Sequence, residues 1–161
     1  FDSITINPYM GKDSVEPFLE YKNKHTILLA LTSNVGAFDF QTKKIVDNSN
    51  KLYEEVIKTS TSWENSNQLM YVVGATKASY LKEIRNIVPN NFLLIPGVGA
   101  QGGDLKEVCD NGLNNEVGLL INSSRSIIYA SNDTNFDIDA AKNAQEIQSQ
   151  MGYILSSRGL V

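Results

Sequence analysis

The chain has 161 residues, of which 42% are hydrophobic and 20% are charged, and its formal net charge is −4 with a sequence pI near 5.0. These values are typical of one globular domain, and they exclude a broad basic surface for nucleic acid or an anionic membrane. No apolar run approaches the roughly 20 residues that cross a bilayer, and the single cysteine, Cys109, cannot form an internal disulfide, which fits a reducing cytoplasm.

Short apolar runs and helical patterns alternate along the whole chain. In chain order the sequence predicts a strand at 3–7, a helix at 14–21 capped by Ser14 or Asp13, a strand at 26–32, a helix through 52–63, a strand at 70–73, a helix through 81–87, a strand at 92–95, a helix through 105–112 capped by Asp104, a strand at 117–121 and a helix at 136–155. Cys109 lies on one of these helices, where packing in the core is its expected role.

The predicted strands are continuous apolar runs rather than alternating ones. This pattern predicts an α/β fold with a parallel sheet that is covered on both faces. The chain shows no repeat or linker, so we expect a single domain. Ligands of such folds bind at the carboxyl ends of the strands, where every loop with unusual chemistry is found here.

Two of these loops predict a phosphate site. The segment 97–104 contains four glycines, and the next strand ends at Ser123-Ser124-Arg125. Glycines allow close backbone approach, Arg125 can form a bidentate fork to phosphate oxygens, and a helix follows each loop with its positive end toward the ligand. The alternatives are a tight turn without a ligand for the glycines and a surface ion pair for Arg125.

Other polar residues are less specific. Gln101, in the middle of the glycine segment, is the side chain that we expect to touch a ligand, with a solvated loop tip as the alternative. Thr32-Ser33-Asn34 can bond a heterocycle or sugar, or can cap local structure. His25 has no neighbouring ligand residues, and no metal-binding motif occurs in the sequence, so we predict no bound metal.

The strand ends, taken together, resemble those of the orotidine 5′-phosphate decarboxylase family, in its longer bacterial branch. The resemblance extends from Phe1 to about Leu155. Its motifs are NPYMGKDS at 7–14, LALTSN at 29–34, YVVGAT at 71–76, PGVGAQGG at 96–103 and NSSR at 122–125. The PGVGAQGG run is the most specific of the five.

The resemblance implies a (β/α)₈ barrel of which this chain holds the fourth to eighth β/α units, so that residues 1–161 form the C-terminal part of one barrel domain without a second domain. It also implies a cofactor-free homodimer in pyrimidine biosynthesis that converts orotidine monophosphate to uridine monophosphate and CO₂. Its binding residues match Gln101 and Arg125 as phosphate ligands, Gly103 and Ser124 as neighbouring backbone donors, and Ser33 as the pyrimidine ligand.

The catalytic residues that the resemblance implies have no counterpart in this sequence. They are an Asp-x-Lys-x-x-Asp motif after the third strand and a lysine after the second, and the 161 residues contain no Asp-x-Lys-x-x-Asp. We therefore expect no catalytic residue in this chain and no decarboxylation by the chain alone. A self-standing, non-catalytic half barrel that binds phosphate ligands remains the alternative. A sugar-phosphate epimerase barrel is a weaker option, because paired aspartates and histidine ligands are missing.

Overall fold

The computed structural model describes residues 1–99 and 102–161. Its strands are β1 (Ser3–Ile6), β2 (His25–Leu31), β3 (Leu69–Val73), β4 (Leu93–Pro96) and β5 (Leu119–Asn122). Its α-helices are α1 (Lys12–Leu19), α2 (Leu52–Thr61), α3 (Ala78–Ile87), α4 (Leu105–Gly112), α5 (Arg125–Ile128) and α6 (Phe136–Ser157). Single 3₁₀ turns lie at Pro8–Met10, Val35–Phe38, Ser66–Gln68 and Ala75–Lys77.

The five strands form one parallel sheet in the order of the sequence. Ile6 lies beside Leu28 at one edge of the sheet, and Pro96 lies beside Asn122 at the other. Helical side chains pack against one face of the sheet in a single core cluster. Sequential strand order with helices on one face is the arrangement of consecutive β/α units of a (β/α)₈ barrel, whereas a doubly wound sheet has helices on both faces. The predicted α/β class is confirmed.

The main core lies between the sheet and the helices. Tyr71 and Ile95 from the strands and Ile57 and Val108 from the helices are fully buried there. Cys109 is buried in the same cluster, as predicted, with its Sγ 3.6 Å from Met151 Sδ. A smaller cluster, which consists of strand side chains alone, covers the opposite face of the sheet (Ile27, Met70 and Val72, with Leu29 and Leu94 beside them).

The outer strands are more exposed than the sequence predicts. Ser3, Ile4 and Thr5 of β1 are exposed, and Leu120 of β5 is 48% exposed. The prediction that both faces of the sheet are covered is therefore wrong for these two strands. Each of them has only one neighbouring strand, and the sheet face away from the helices carries only the small cluster of strand side chains. Two open strand edges result.

Most element boundaries differ from the predicted ones by a residue or more, and positive φ values explain two of these differences. Helix α1 begins at Lys12 rather than at Ser14, because Gly11 at φ 94° ends the preceding turn and directly precedes the helix. Strand β5 begins at Leu119 rather than at Val117, because Val117 and Gly118 have φ values of 71° and 64°, which no strand adopts.

Arg85 of α3 connects the chain segments at the amino ends of β4 and β5. Its guanidinium donates to the carbonyl oxygens of Gly112 and Gly118 at 2.6 Å each, to that of Asn91 at 2.6 Å and to that of Val88 at 3.1 Å. Burial lowers the pKa of Arg85 to about 10, so that the side chain remains a cation at neutral pH. Arg85 therefore satisfies four carbonyls where helices end and strands begin.

Helix α6, the last helix of the described residues, contacts α4. Arg158, directly after α6, donates to the Cys109 carbonyl oxygen at 3.1 Å and pairs with Asp110. Within the described residues, no helix has both the length and the apolar composition needed to span a membrane.

Candidate functional site

The carboxyl ends of all five strands lie at the same end of the parallel sheet. At this end Ser33 follows β2, Gly74 follows β3, Gly97 follows β4 and Asn122 ends β5. His25 is an exposed residue at the start of β2, at the opposite end of the sheet, apart from these loops. The topology therefore brings together the loops that the sequence analysis selected.

The glycine segment after β4 folds back on itself. Val98 pairs with Gly103 as an isolated parallel bridge, in which Gly99 N–H donates to the Gly103 carbonyl at 3.1 Å and Gly103 N–H donates to the Gly97 carbonyl at 3.2 Å. Gly97, Gly99 and Gly102 have φ values of 94°, 79° and 82°, a region that side chains disfavour. Gln101 and its neighbour Ala100 lie outside the described residues, so the role of Gln101 stays a prediction.

Gly74 and Gly103 allow neighbouring backbones to touch. A Cβ on Gly74 would lie 2.5 Å from Ser33 N and Cα, and a Cβ on Gly103 would lie 2.3 Å from Ala75 Cβ. Ser33, itself half-buried, also receives a hydrogen bond at its carbonyl from Thr76 Oγ1 at 3.0 Å. Close glycine packing thus connects the Ser33 turn with the glycine segment through the loop after β3.

The segment after β5 forms the second side of a small pocket. This pocket has a volume of about 190 Å³ and is lined by Pro96, Gly97, Val98, Asn122, Ser123, Ser124 and Arg125. Arg125 is an exposed residue that begins α5. Its guanidinium forms no hydrogen bond and no ion pair with residues 1–99 or 102–161. The surface ion pair considered as an alternative is therefore not found among these residues.

The helix that follows the glycine segment is capped by a side chain at its amino end. Asp104 Oδ1 accepts a hydrogen bond from Glu107 N–H at 2.7 Å, which confirms the predicted cap. Two carboxylates, those of Asp104 and Glu107, therefore occupy the amino end of α4. The cap uses one backbone donor of the first turn, and the expectation that this helix terminus faces the ligand stays a prediction.

Thr32 and Asn34 stabilise the loop in which they lie. Thr32 Oγ1 donates to Asn34 Oδ1 at 2.6 Å, and Gln41 Nε2 donates to Thr32 Oγ1 at 2.9 Å. Gln41 Oε1 in turn accepts from Thr32 N–H at 2.8 Å. Hydrogen bonds within the loop therefore occupy the side chains of Thr32 and Asn34, as the capping alternative predicts. Ser33 lies between these two residues in the sequence.

Sequence reasoning missed Lys77, which is 7% exposed in the turn between β3 and α3. Its Nζ lies 3.7 Å from the ring centroid of Phe38, in the 3₁₀ turn that follows Ser33 and Asn34. A lysine directly after the strand-end Gly74-Ala75-Thr76 loop is a signal that could have identified it. The contact is a cation–π interaction that connects the loops after β2 and β3.

Across the two described ranges, no group of three His, Cys, Asp or Glu side chains is arranged to hold a metal ion. The arrangement consists of an exposed guanidinium, a pocket bounded by two loops and glycine-rich backbone, and these groups suit an anion with oxygen acceptors.

Comparison with known proteins gives consistent matches. The family model of the orotidine 5′-phosphate decarboxylase / HUMPS family matches residues 1–136. The orotidine 5′-phosphate decarboxylase of Christiangramia forsetii is 68% identical over 151 residues, which are 94% of this chain and 55% of that protein. The one of Flavobacterium johnsoniae is 60% identical over 158 residues, which are 98% of this chain and 57% of that protein. The chain thus spans a little over half the length of these curated relatives.

A solved structure shows the same similarity in three dimensions. The structure of Leishmania donovani OMP decarboxylase superimposes with a TM-score of 0.74 at 34% identity and covers 92% of this chain and 56% of that chain. Sequence, fold and strand-end motifs agree, and the chain belongs to the orotidine 5′-phosphate decarboxylase / HUMPS family.

Proposed function

We propose that the chain is the phosphate- and pyrimidine-binding part of an orotidine 5′-phosphate decarboxylase, which converts orotidine monophosphate to uridine monophosphate and CO₂. In this proposal residues 1–161 belong to one barrel domain and need no cofactor. The observation that carries the proposal is the pocket between the glycine segment and Arg125, at the strand ends of a family member.

The pocket residues have separate roles in this proposal. The Arg125 guanidinium forks to two phosphate oxygens, and the backbone N–H groups near Gly103 and Ser124 bond the others. Gln101 is the second side-chain ligand of the phosphate, on the basis of the sequence motif alone. The absence of a competing carboxylate on Arg125 among the described residues supports its availability for an incoming anion.

Ser33 bonds the pyrimidine ring in this proposal. Gly74 packs against its backbone and Thr76 bonds its carbonyl, so the direction of the turn is held from two sides. The phosphate does not react, and its contacts contribute to catalysis only where they hold the substrate in the geometry of the transition state. A rigid connection from the phosphate loops to the Ser33 turn suits that purpose.

The reacting groups lie, we propose, in the part of the relatives that this chain does not match. Three surfaces are available to pack against such β/α units: the open edges of β1 and β5 and a groove between β5 and α6. The groove has a volume of about 520 Å³ and is lined mainly by apolar side chains, among them Ile121, Ile127, Ile147, Met151 and Leu155. The proposal predicts that the chain alone does not decarboxylate.

The proposed enzyme is a homodimer that works in the cytoplasm. Five large apolar side chains in the loops after β1 and β2 are exposed and supply a contact surface (Tyr9 87%, Met10 74%, Val35 84%, Phe38 49% and Phe40 72%). Exposed apolar patches of this kind commonly mark protein contacts. The single cysteine, Cys109, is buried, and burial raises the pKa of its thiol, which keeps it unreactive in a reducing compartment.

A chimeric protein, called the joined protein below, tests the proposal. It consists of the N-terminal segment of the C. forsetii relative, up to the start of its match with this chain, followed by residues 1–161. We expect this protein to release CO₂ from orotidine monophosphate, and we expect the 161-residue chain alone to release none. The intact relative serves as the positive control.

An inactive but folded joined protein would contradict the proposal. A joined protein that unfolds cooperatively on heating but does not turn over orotidine monophosphate, next to an active relative, would reject it. If the chain alone nevertheless binds uridine monophosphate, the non-catalytic binding module becomes the better description.

A further inference from the structure

The backbone does not hold the two phosphate loops together by itself. The β4–β5 ladder ends where Pro96 pairs with Asn122, and the glycine segment and the Ser-Arg turn begin directly after this pair. Past the ladder, the described contacts between the two segments are made by side chains. They are contributed by Ser123 and Ser126, two serines on either side of Ser124 and Arg125.

The two serine hydroxyls form a chain of hydrogen bonds between the loops. Ser123 Oγ and Ser126 Oγ are 2.5 Å apart, and Ser123 Oγ donates to the Val98 carbonyl at 3.4 Å. Either serine can be the donor between them; when Ser123 donates to Val98, Ser126 donates to Ser123 Oγ. Ser126 also lies beside the glycine segment, since a Cβ on Gly99 would lie 3.4 Å from Ser126 Oγ.

The helix that carries Arg125 is too short to fix its own direction. Helix α5 has four residues, Arg125–Ile128, and a single isolated turn is not stable without external contacts. Asn143 of α6 provides one such contact, because its Nδ2 donates to the Ser126 carbonyl at 2.9 Å. The turn is thus held by α6 on one side and by the Ser123 hydroxyl on the other.

We propose that Ser123, Ser126 and Asn143 are positioning residues that hold Arg125 and the glycine segment at the separation that a phosphate group requires. This inference rests on the proposed phosphate site and adds three residues to it. None of them needs to touch the ligand. Their hydroxyl and amide groups set the relative placement of the two loops that do.

The test compares ligands with and without a phosphate on the full 161-residue chain. Calorimetry gives the dissociation constants of uridine monophosphate and uridine for wild type, Ser123→Ala, Ser126→Ala and the double variant. The loss of one neutral hydrogen bond predicts an affinity for uridine monophosphate that is lower by about three- to tenfold, with no change for uridine. Because both serines belong to one connection, the double variant should lose no more than a single variant.

Three controls separate positioning from general structural damage. Ser157→Ala removes a hydroxyl that bonds only within α6, to the Ile154 carbonyl, and should leave both affinities unchanged. Ser126→Thr keeps the hydroxyl and should restore the affinity for uridine monophosphate, whereas Asn143→Leu, which loses the donor, should weaken it. In the joined protein, Ser126→Ala should raise KM for orotidine monophosphate more than it lowers kcat.

Three negative results are possible, and they contradict different parts of the proposal. A wild-type chain that does not distinguish uridine monophosphate from uridine would contradict the proposed phosphate site and, with it, this inference. A wild-type chain that distinguishes them, next to serine variants that keep the full difference, would overturn the positioning role alone. Equal losses for both ligands would also overturn it, since they would indicate general damage.

Discussion

Two arginines at opposite ends of the sheet show how differently the same side chain is used. Arg85, at the amino ends of β4 and β5, is half-buried and donates to four backbone carbonyls. Arg125, at the carboxyl ends of the same strands, is exposed and has no partner within the described residues. The first is fully used by the fold, and the second is available to a ligand.

The same contrast holds for the chain around them. The segments near Arg85 end helices and start strands, and their carbonyls are satisfied within the protein. The segments near Arg125 consist of glycines and serines, whose contacts leave a pocket of about 190 Å³. In β/α barrels stability residues gather at the amino ends of the strands and chemistry at the carboxyl ends, and the two arginines follow this division.

The largest expected effect is the loss of function on Arg125→Ala. In the joined protein it removes the two charge-assisted hydrogen bonds that we propose to the phosphate, and it should lower kcat/KM for orotidine monophosphate by roughly a thousandfold, about 4 kcal/mol. The midpoint of thermal unfolding should not change, because the side chain has no partner among the described residues. Arg125→Lys keeps a point charge and should recover part of the activity. An unchanged kcat/KM would contradict the role of Arg125.

Arg85→Ala should show the opposite behaviour. It removes the side-chain donor from four carbonyls, of which only that of Gly118 keeps a backbone donor among the described residues, Leu93 N–H at 2.9 Å, and it should lower the free energy of unfolding by about 3 kcal/mol, measured by urea denaturation of the chain. Lys106→Ala removes an exposed cation that bonds Asp110 and is the matched control, with a much smaller expected change because solvent screens the pair. Equal stability of Arg85→Ala and Lys106→Ala would show that Arg85 does not hold this end of the sheet.

Gly103→Ala tests the close contact that connects the phosphate loop with the loop after β3. The new Cβ would lie 2.3 Å from Ala75 Cβ and 2.8 Å from the Gly97 carbonyl, and overpacking of this kind costs about 2 kcal/mol. Thermal unfolding measures the loss, and Ala75→Gly in the same chain should restore part of it. Gly152→Ala on α6, where a Cβ meets nothing within 4 Å, is the control and should not destabilise.

The smallest expected effect belongs to Asp104, which caps α4 beside the phosphate loop. Asp104→Ala should lower the free energy of unfolding by about 1 kcal/mol, and Asp104→Asn should retain most of the cap. Because the carboxylate lies next to the proposed anion site, the affinity for uridine monophosphate should not fall. A clear loss of that affinity in Asp104→Asn would show that the carboxylate supports the site rather than the helix.

The sequence predicted the five strands, the parallel sheet and the loops of the site, because apolar runs and glycine positions are local signals. It misplaced the starts of α1 and β5, since positive φ at Gly11, Val117 and Gly118 ends or delays an element without a strong composition signal. The Ser123–Ser126 contact could not be predicted, because it depends on how the chain turns past the ladder. The exposure of β1 and Leu120 is a property of the sheet edges, which apolar composition does not reveal.

The central claim is that the strand ends of β4 and β5 form the phosphate site, and the crystal structure of the joined protein with uridine monophosphate tests it most directly. The account predicts the phosphate in the pocket between the glycine segment and Ser124, with Arg125 nitrogens within hydrogen-bond distance of its oxygens, about 2.7–2.9 Å. A phosphate bound elsewhere, or an Arg125 turned away from it, would contradict the account.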